Sequence, residues 1–151
     1  TCRDRLAGFL FLGVINRMNS TYFVNCVSGN VFNTKTTPAL PTAYYIGLST
    51  TTPSKDGSGV TEPSSSAGYK RVQITGLGEP IDGAVTNSTS ISFDESTASW
   101  GTVTHVVIFD AATEGNLLMA DALDPPRAID SGTIMTIKDG YLTLKVADLE
   151  G

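Results

Sequence analysis

The sequence predicts a mainly β protein: an antiparallel β-sandwich or jelly-roll-like body that follows a short helical N-terminal segment. Three observations predict this fold. About eight short apolar or alternating segments follow one another at near-even spacing, as in sandwiches. Glycines, prolines and serines separate these segments. A βαβ fold would require helices between the strands, and no helical pattern lies there. With 151 residues, 40% of them hydrophobic, the chain can bury one core of its own.

The N-terminal segment, residues 1–33, is predicted to contain two helices. Residues 6–15, LAGFLFLGVI, would be apolar on every side of a helix, and such a helix must be buried all round. A second helix is predicted to begin after an N-capping Ser20. Its expected buried face consists of Tyr22, Phe23, Cys26, Val27 and Val31. Either both helices pack on their own domain, or the first is a peg that inserts into a partner or into sister subunits.

The peg interpretation defines a candidate assembly interface on the first helix. Its residues are Leu6, Phe9, Leu10, Phe11, Leu12, Val14 and Ile15. Deletion of residues 1–18 is then expected to leave a folded body that no longer joins its assembly.

Two prolines mark the boundary of the β body. Neither Pro38 nor Pro41 can continue a helix, and each pushes the residue before it toward an extended backbone. Residues 34–41 are therefore predicted to be a linker, and residues 42–151 a β-sandwich domain. Seven of the strand segments have predicted bounds, at residues 42–49, 69–75, 85–93, 103–109, 116–123, 133–138 and 141–146.

The segments between these strands carry strong local signals. Residues 50–68 are rich in Gly, Pro, Ser and Thr and are predicted to be a long surface loop. Residues 103–109 are apolar at nearly every position, which indicates a central strand covered on both faces. Pro125-Pro126 is expected to break the segment that follows the predicted strand 116–123. Asp139-Gly140 is expected to make a tight turn.

Charge and hydropathy exclude several classes of partner. The net charge of −5 argues against nucleic acid, because affinity for phosphate backbones comes from clusters of Lys and Arg. Three arginines and one aspartate give residues 1–17 a charge of +2, so the remaining residues carry −7. The apolar run at residues 6–15 is about half as long as a membrane span, and no small-residue cleavage site follows it. We therefore predict no nucleic-acid partner, no membrane span and no export signal.

The sequence predicts neither catalysis nor a cofactor nor a metal site. His105, the sole histidine, is expected inside the central strand, away from an orienting acid and a nucleophile. Asp94 and Glu95 are adjacent, so in a strand their carboxylates would point to opposite faces. Cys2 and Cys26 lack the spacing of zinc ligands. They are expected to be free thiols, with a bridge between the two predicted helices as the alternative.

Four aromatic residues allow two interpretations. Trp100, the sole tryptophan, precedes the central strand, where a large apolar ring is expected to fill the core. A sugar-stacking platform is the functional alternative, and Tyr44, Tyr45 and Tyr69 share this ambiguity. A buried Trp100 would favour a scaffold, whereas several exposed rings on one face would favour sugar binding.

Ordered blocks of sequence resemble a family of small virion proteins from tailed bacteriophages, described as tail-fibre-like or capsid-decorating. The blocks are YIGLSTTTP at residues 45–53, GVTEP at 59–63, GY at 68–69, and WGTVTH at 100–105 leading into FDA at 109–111. The resemblance covers most of residues 44–146. It implies a non-enzymatic structural protein with no catalytic residues, made in the bacterial cytoplasm and located in the virion, on either the head or the tail.

This resemblance implies partners as well. The N-terminal segment is expected to dock on major capsid or tail protein while the β body faces outward. The body is expected to form a homo-oligomer, by analogy a trimer, because virion surface proteins usually follow a local symmetry axis. A host-surface glycan-binding module is the alternative function.

Overall fold

The computed structural model describes residues 13–15, 18–33 and 38–146. The mainly β, antiparallel class predicted from the sequence is confirmed. The described residues form the strands β1 (Gly13–Ile15), β2 (Met18–Asn19), β3 (Tyr45–Ser49), β4 (Val72–Gln73), β5 (Ala84–Thr86), β6 (Ile91–Ser92), β7 (Gly101–Phe109), β8 (Leu117–Ile129), β9 (Thr136–Ile137) and β10 (Leu142–Lys145). They also form one α-helix, α1 (Thr21–Val31).

A five-stranded antiparallel sheet, in the order β2-β8-β7-β3-β4, is the centre of the fold. Strand β7 lies between β3 and β8, and its side chains alternate between two apolar layers. Val106 and Ile108 belong to the main core, whereas Val107 and Phe109 belong to a second cluster on the other face. The prediction that residues 103–109 form a central strand covered on both faces is confirmed.

Two smaller sheets complete the body. One has the order β1-β10-β5 and the other pairs β6 with β9. The main core unites all three sheets, because it contains Ile108 of β7, Ile137 of β9 and Leu142 of β10, each fully buried. Phe93, which follows β6, is also buried there. The core therefore lies between the central sheet and the smaller sheets.

Helix α1 begins as the sequence predicts. The Ser20 side chain accepts a hydrogen bond from the backbone N–H of Phe23 at 3.1 Å, which satisfies one free donor of the first turn. Phe23 and Cys26 are buried, but Val31 is 69% exposed, so its predicted place on the buried face is wrong. Eight residues after Phe23 a helix has turned about 80° past two full turns, which carries Val31 off that face.

The predicted helix over residues 6–15 is contradicted at its end. Gly13–Ile15 form β1, which pairs in parallel with β10 from Leu142 to Leu144. A short apolar run suits a helix or a strand equally well, and β-branched residues together with an available strand edge favour the strand here. The candidate interface residues Val14 and Ile15 thus lie in a strand. Leu6, Phe9, Leu10, Phe11 and Leu12 lie outside the described residues.

Residues 18–23 are joined to the β body by strand pairing, core packing and a hydrogen bond. Met18 and Asn19 form β2, which pairs with Ala120 and Met119 of β8. Phe23 of α1 belongs to the main core, and Thr21 donates its N–H to the Lys55 carbonyl at 2.8 Å. Truncation through residue 18 would therefore remove residues that pair with β8 and β10.

Three further differences arise from long-range pairing. The predicted strand 85–93 is divided, because β5 pairs with β10 whereas β6 pairs with β9. Asp139-Gly140 makes the expected turn, with the Tyr141 N–H donating to the Lys138 carbonyl at 3.1 Å, but the strands on either side join different sheets. The predicted strand 69–75 contains only the two residues of β4.

Pro125-Pro126 does not end its strand. Strand β8 continues to Ile129, and the register against β7 shifts between Val103, which faces Arg127, and His105, which faces Ala122. The prolines fall in this irregular stretch, where β8 has extra residues and a missing N–H is tolerated.

Candidate functional site

The predicted loop at residues 50–68 is an ordered cover over one face of the central sheet. It contains no strand, only a 3-10 turn at Ser65–Ala67, as the sequence predicts. Thr50 donates its N–H to the Thr61 carbonyl at 2.9 Å, and Val60 packs on the cluster around Val107 and Phe109. The loop is therefore fixed to the sheet by both hydrogen bonds and apolar contacts.

Arg71 joins this loop to the turn between β7 and β8. Its Nε and Nη2 each donate to Glu62 at 2.8 Å in a bidentate pair, and its Nη1 donates to the carbonyls of Ala111 and Glu114 at 2.8 and 2.7 Å. The guanidinium carbon lies 3.5 Å from the centre of the Phe109 ring. The Arg71 side chain is only 6% exposed, and its guanidinium donates four hydrogen bonds that hold the two chain segments together.

Tyr69 extends the same network into the core. Its hydroxyl donates to Glu62 at 2.6 Å and accepts the Leu48 N–H at 2.9 Å. Burial, reinforced by the Glu62 carboxylate, raises the pKa of Tyr69 far above its ordinary value. A Cβ on Gly47 would lie 2.7 Å from this hydroxyl, so only glycine fits beside it.

The charge of Glu62 is stabilised by its neighbours. Partial burial alone would raise the pKa of this carboxyl, but the hydrogen bonds from Arg71 and Tyr69, together with the positive charge of Arg71, hold it below the ordinary value of 4.5. We call Glu62, Tyr69 and Arg71 the Arg71 network. At neutral pH Glu62 is therefore a carboxylate, while Tyr69 retains its proton.

The turn on the far side of Arg71 has a strained backbone. Glu114 has a φ of 52°, in the left-handed region that non-glycine residues rarely adopt, and Gly115 follows with a φ of 72°. A Cβ on Gly115 would lie 2.6 Å from an Asp110 carboxylate oxygen. Asp110 accepts the Asn116 N–H at 2.7 Å and its side-chain amide at 2.9 Å. This turn is held in one conformation by side chains on both sides.

A groove of about 310 Å³ lies between the loop and this turn. Its walls are Glu62, Pro63, Ser65, Tyr69, Lys70 and Arg71 on the loop side, and Ala112, Thr113 and Glu114 on the turn side. The Arg71 network spans the two walls. The hydrogen bonds of Arg71 therefore hold the two walls of the groove together.

The four aromatics of the predicted sugar platform do not share an open face. Trp100 is 4% exposed and donates its indole N–H to the Ala67 carbonyl at 2.8 Å. Tyr69 is also buried and meets Trp100 edge-to-face with 5.4 Å between ring centres. Tyr44 and Tyr45 are half-buried. The arrangement of Trp100 is the one expected of a scaffold.

The residues considered for catalysis have structural partners. His105 is half-buried in β7, and its Nδ1 lies 2.8 Å from the Thr104 hydroxyl. Burial lowers the pKa of His105, partly opposed by the charge of Asp121. Asp94 pairs with Lys70 at 2.9 Å on the surface. Cys26 is a free, buried thiol whose sulfur donates to the Ala39 carbonyl at 3.2 Å.

Across residues 13–15, 18–33 and 38–146, no group of three or more His, Cys, Asp or Glu side chains could hold a metal ion. Within the same ranges, no helix has the length and hydropathy needed to cross a membrane.

Among residues 18–33, the exposed large apolar side chains lie on α1 and directly after it. Val31 is 69% exposed and Phe32, which follows the helix, is 77% exposed. Val24 is 43% exposed and lies seven residues before Val31, on the same helix face. We call Val24, Val31 and Phe32 the α1 patch. The helix that carries it contains no charged residue.

Over residues 19–145, the chain matches the model of a family of phage fibre proteins. The chain belongs to this family, which is described as Podophage GP4 fiber I protein gp80. The match includes α1 and almost all of the β body, and it confirms the resemblance drawn from the blocks at residues 45–53 and 100–105. The protein is a component of the virion. No curated protein matches the chain.

The Arg71 network and the exposure of Phe32 were not predicted from the sequence. Glu114 lies 43 residues after Arg71, and the pairing of β3 with both β4 and β7 brings the two residues together. The exposure of Phe32 had a weak signal, because it follows the buried Phe23 by nine residues, about two and a half helical turns, and so falls on the opposite face.

Proposed function

We propose that the protein is a non-enzymatic structural component of the virion that docks through its N-terminal region, residues 1–33, on major capsid or tail protein and displays the β body outward. The observation that carries this proposal is the α1 patch. Val31 and Phe32 expose two large apolar side chains next to each other, and contiguous exposed apolar surface marks interaction sites.

Two features support docking at this end of the molecule. The exposed surface of α1 has no charged residue, and interface centres are depleted in charge compared with ordinary surface. Residues 1–17 carry +2 while the remainder of the chain carries −7, so the N-terminal region differs electrostatically from the displayed body. The family match begins at residue 19 and thus includes the α1 patch.

The non-enzymatic part of the proposal is supported by the roles of the polar residues. Glu62 forms an ion pair with Arg71, and the Asp110 carboxylate accepts hydrogen bonds from Asn116. The His105 ring forms a hydrogen bond with the Thr104 hydroxyl. Each of these groups supports the local fold. The alternative of a glycan-binding aromatic platform is weakened, because Tyr69 and Trp100 are inside the core.

Docking is tested by the double variant Val31→Ser/Phe32→Ser in the full chain. We expect an unchanged melting temperature, because both side chains are exposed, and loss of incorporation into particles. The matched control is Ile81→Ser, which removes an apolar side chain that is 73% exposed in the connection between β4 and β5. Normal occupancy of the double variant in purified particles would refute docking through the α1 patch.

A truncation refines the same test. Removal of residues 1–12 leaves β1 and β2 in place, unlike removal of residues 1–18. The shorter deletion is expected to give a folded body with reduced incorporation.

We further propose that the body forms a homo-oligomer, as a trimer. Among the described residues, strands β2 and β4 form the two edges of the central sheet, and each pairs with one strand there. The free N–H and C=O groups of an edge strand can pair with a strand of another chain. Sedimentation of the full chain at micromolar concentration is expected to give the mass of three copies, and a monomer under these conditions would exclude the trimer.

A further inference from the structure

We infer that Asp82 is a site of covalent modification, at which the aspartate isomerises to isoaspartate through a cyclic imide formed with Gly83. The site is separate from the α1 patch and does not depend on docking. Aspartate followed by glycine favours this reaction, because glycine has no side chain to shield its amide nitrogen. The chain contains three such pairs, which begin at Asp56, Asp82 and Asp139, and their surroundings differ.

The reaction needs only these two residues and water. The Gly83 nitrogen attacks Cγ of the Asp82 carboxyl group. A C–N bond forms, a carboxyl C–O bond breaks, and the amide proton and the hydroxyl leave as water. Water then opens the imide ring. If it breaks the bond between the Gly83 nitrogen and the original main-chain carbonyl carbon, the main chain continues through the Asp82 side chain as isoaspartate, with no net change in mass.

The hairpin that contains Asp82 leaves both reacting groups without partners. Ile81 and Ala84 exchange backbone hydrogen bonds at 2.9 and 3.0 Å, so Asp82 and Gly83 are the two central residues of a tight turn, with φ of 50° and 78°. Among the residues that the structure describes, none accepts the Gly83 N–H or donates to the Asp82 carboxylate. Residues 78–83 are all exposed, and such loop tips open locally at little cost. The nitrogen can therefore approach the carboxyl carbon.

The pair at Asp56 is held by hydrogen bonds on both sides. The Gly57 N–H donates to the Ser54 carbonyl at 2.9 Å, so the attacking nitrogen is fixed. The Asp56 carboxylate accepts the Ser58 N–H at 2.9 Å and the Ser58 hydroxyl at 2.7 Å. These bonds lower the pKa of Asp56. They therefore disfavour the neutral carboxyl group, which is the form that loses water.

The pair at Asp139 is attached to a buried residue. The Gly140 N–H donates to the Asn87 carbonyl at 2.9 Å, and Asn87 is 2% exposed. The Asn87 side chain donates to the Lys138 carbonyl at 2.9 Å and accepts the Leu142 N–H at 2.8 Å. Movement of the Gly140 nitrogen toward its neighbour would break this buried network, which is costly. Asp82 is thus the pair that the fold protects least.

The modification would change the shape of the hairpin tip and leave the body intact. Isoaspartate adds one methylene to the main chain of a turn whose geometry depends on having two central residues. The hydrogen bonds between Ile81 and Ala84 are then expected to be lost. The pairing of Val85 and Thr86 with β10 lies beyond the turn, so we expect aged and fresh protein to have the same melting temperature.

The test is incubation of the full chain in water enriched in heavy oxygen, at body temperature and mildly acidic pH for several weeks. Each opening of the imide inserts one heavy oxygen, which peptide mass spectrometry assigns to one of the three pairs. In the folded chain we expect Asp56 and Asp139 to react at least about fivefold more slowly than Asp82, the factor that one backbone hydrogen bond is worth. In denaturant all three should react alike. Uptake at Asp82 that is no faster than at the other two pairs, or absent, would refute the inference.

Two variants test the assigned residue. Asp82→Asn keeps a side chain that tolerates the left-handed backbone and reaches the same imide by losing ammonia, so its conversion changes the mass of the intact chain. We expect it to convert faster than the matched Asp139→Asn. Asp82→Glu would require a larger ring and should take up no heavy oxygen at this position. Unchanged uptake in Asp82→Glu, or conversion of Asp82→Asn no faster than that of Asp139→Asn, would overturn the assignment.

Discussion

Replacement of Trp100 by alanine is expected to destabilise the protein by about 3–5 kcal/mol, the range for removing a large aromatic from a core. The ring is 4% exposed and contacts Tyr69 and Phe93 edge-on at 5.4 and 6.2 Å between ring centres. Its N–H donates to the Ala67 carbonyl at 2.8 Å. A loss of this size is a large share of the stability of an ordinary domain. Denaturant unfolding at equilibrium measures it.

A second substitution at the same position separates packing from hydrogen bonding. Trp100→Phe retains most of the apolar ring and loses the N–H donor, so we expect a smaller loss of about 1–2 kcal/mol. The Ala67 carbonyl retains a bond from the Thr97 N–H at 2.9 Å, which limits the effect. If Trp100→Ala kept the original stability and instead abolished retention on host glycan, the scaffold role of this residue would be wrong.

Replacement of Arg71 by methionine is expected to destabilise the protein by about 2–4 kcal/mol, because breaking one side of a buried ion pair leaves the other charge unpaired. The Glu62 side chain is 24% exposed, so water relieves part of this penalty. The carbonyls of Ala111 and Glu114 also lose their shared donor. The neighbouring Lys70→Met is the control. Its ion pair with Asp94 is 68% and 60% exposed and contributes about 0–1 kcal/mol.

The Arg71→Met penalty should depend on pH in a defined direction. In the original protein the pKa of Glu62 is held below 4.5, so its contribution to stability is present above that pH and is lost as the pH falls through the lowered value. The variant lacks this contribution. The difference in unfolding free energy between the two proteins is therefore largest at neutral pH and should narrow below about pH 4.5. A difference that is constant from pH 7 to pH 3 would show that Glu62 is not stabilised by Arg71.

Much of the fold could be predicted where local signals and burial agree. Residues 103–109 are apolar on both faces because the central sheet is covered on both faces, and the capping role of Ser20 follows from its position before an amphipathic segment. The loop at residues 50–68 was also recognisable from its composition. These features depend on periods of two or 3.6 residues and on turn chemistry, which a sequence displays directly.

The remaining features depend on partners distant in the chain. Gly13–Ile15 form a strand because they pair with β10. The composition of a short apolar run does not reveal such a distant partner. The Pro125-Pro126 pair stays within β8 because an irregular register against β7 absorbs it. The groove exists because Arg71 reaches carbonyls some 40 residues away, a contact that only the sheet topology creates.

Electron microscopy of intact particles, at a resolution that shows side chains, tests the central claim most directly. The account predicts that Val31 and Phe32 are covered by capsid or tail protein, while the groove beside Arg71 and the turn at Asp139-Gly140 face solvent. Particles in which Val31 and Phe32 are exposed, and the β body makes the contacts with other virion proteins, would contradict it.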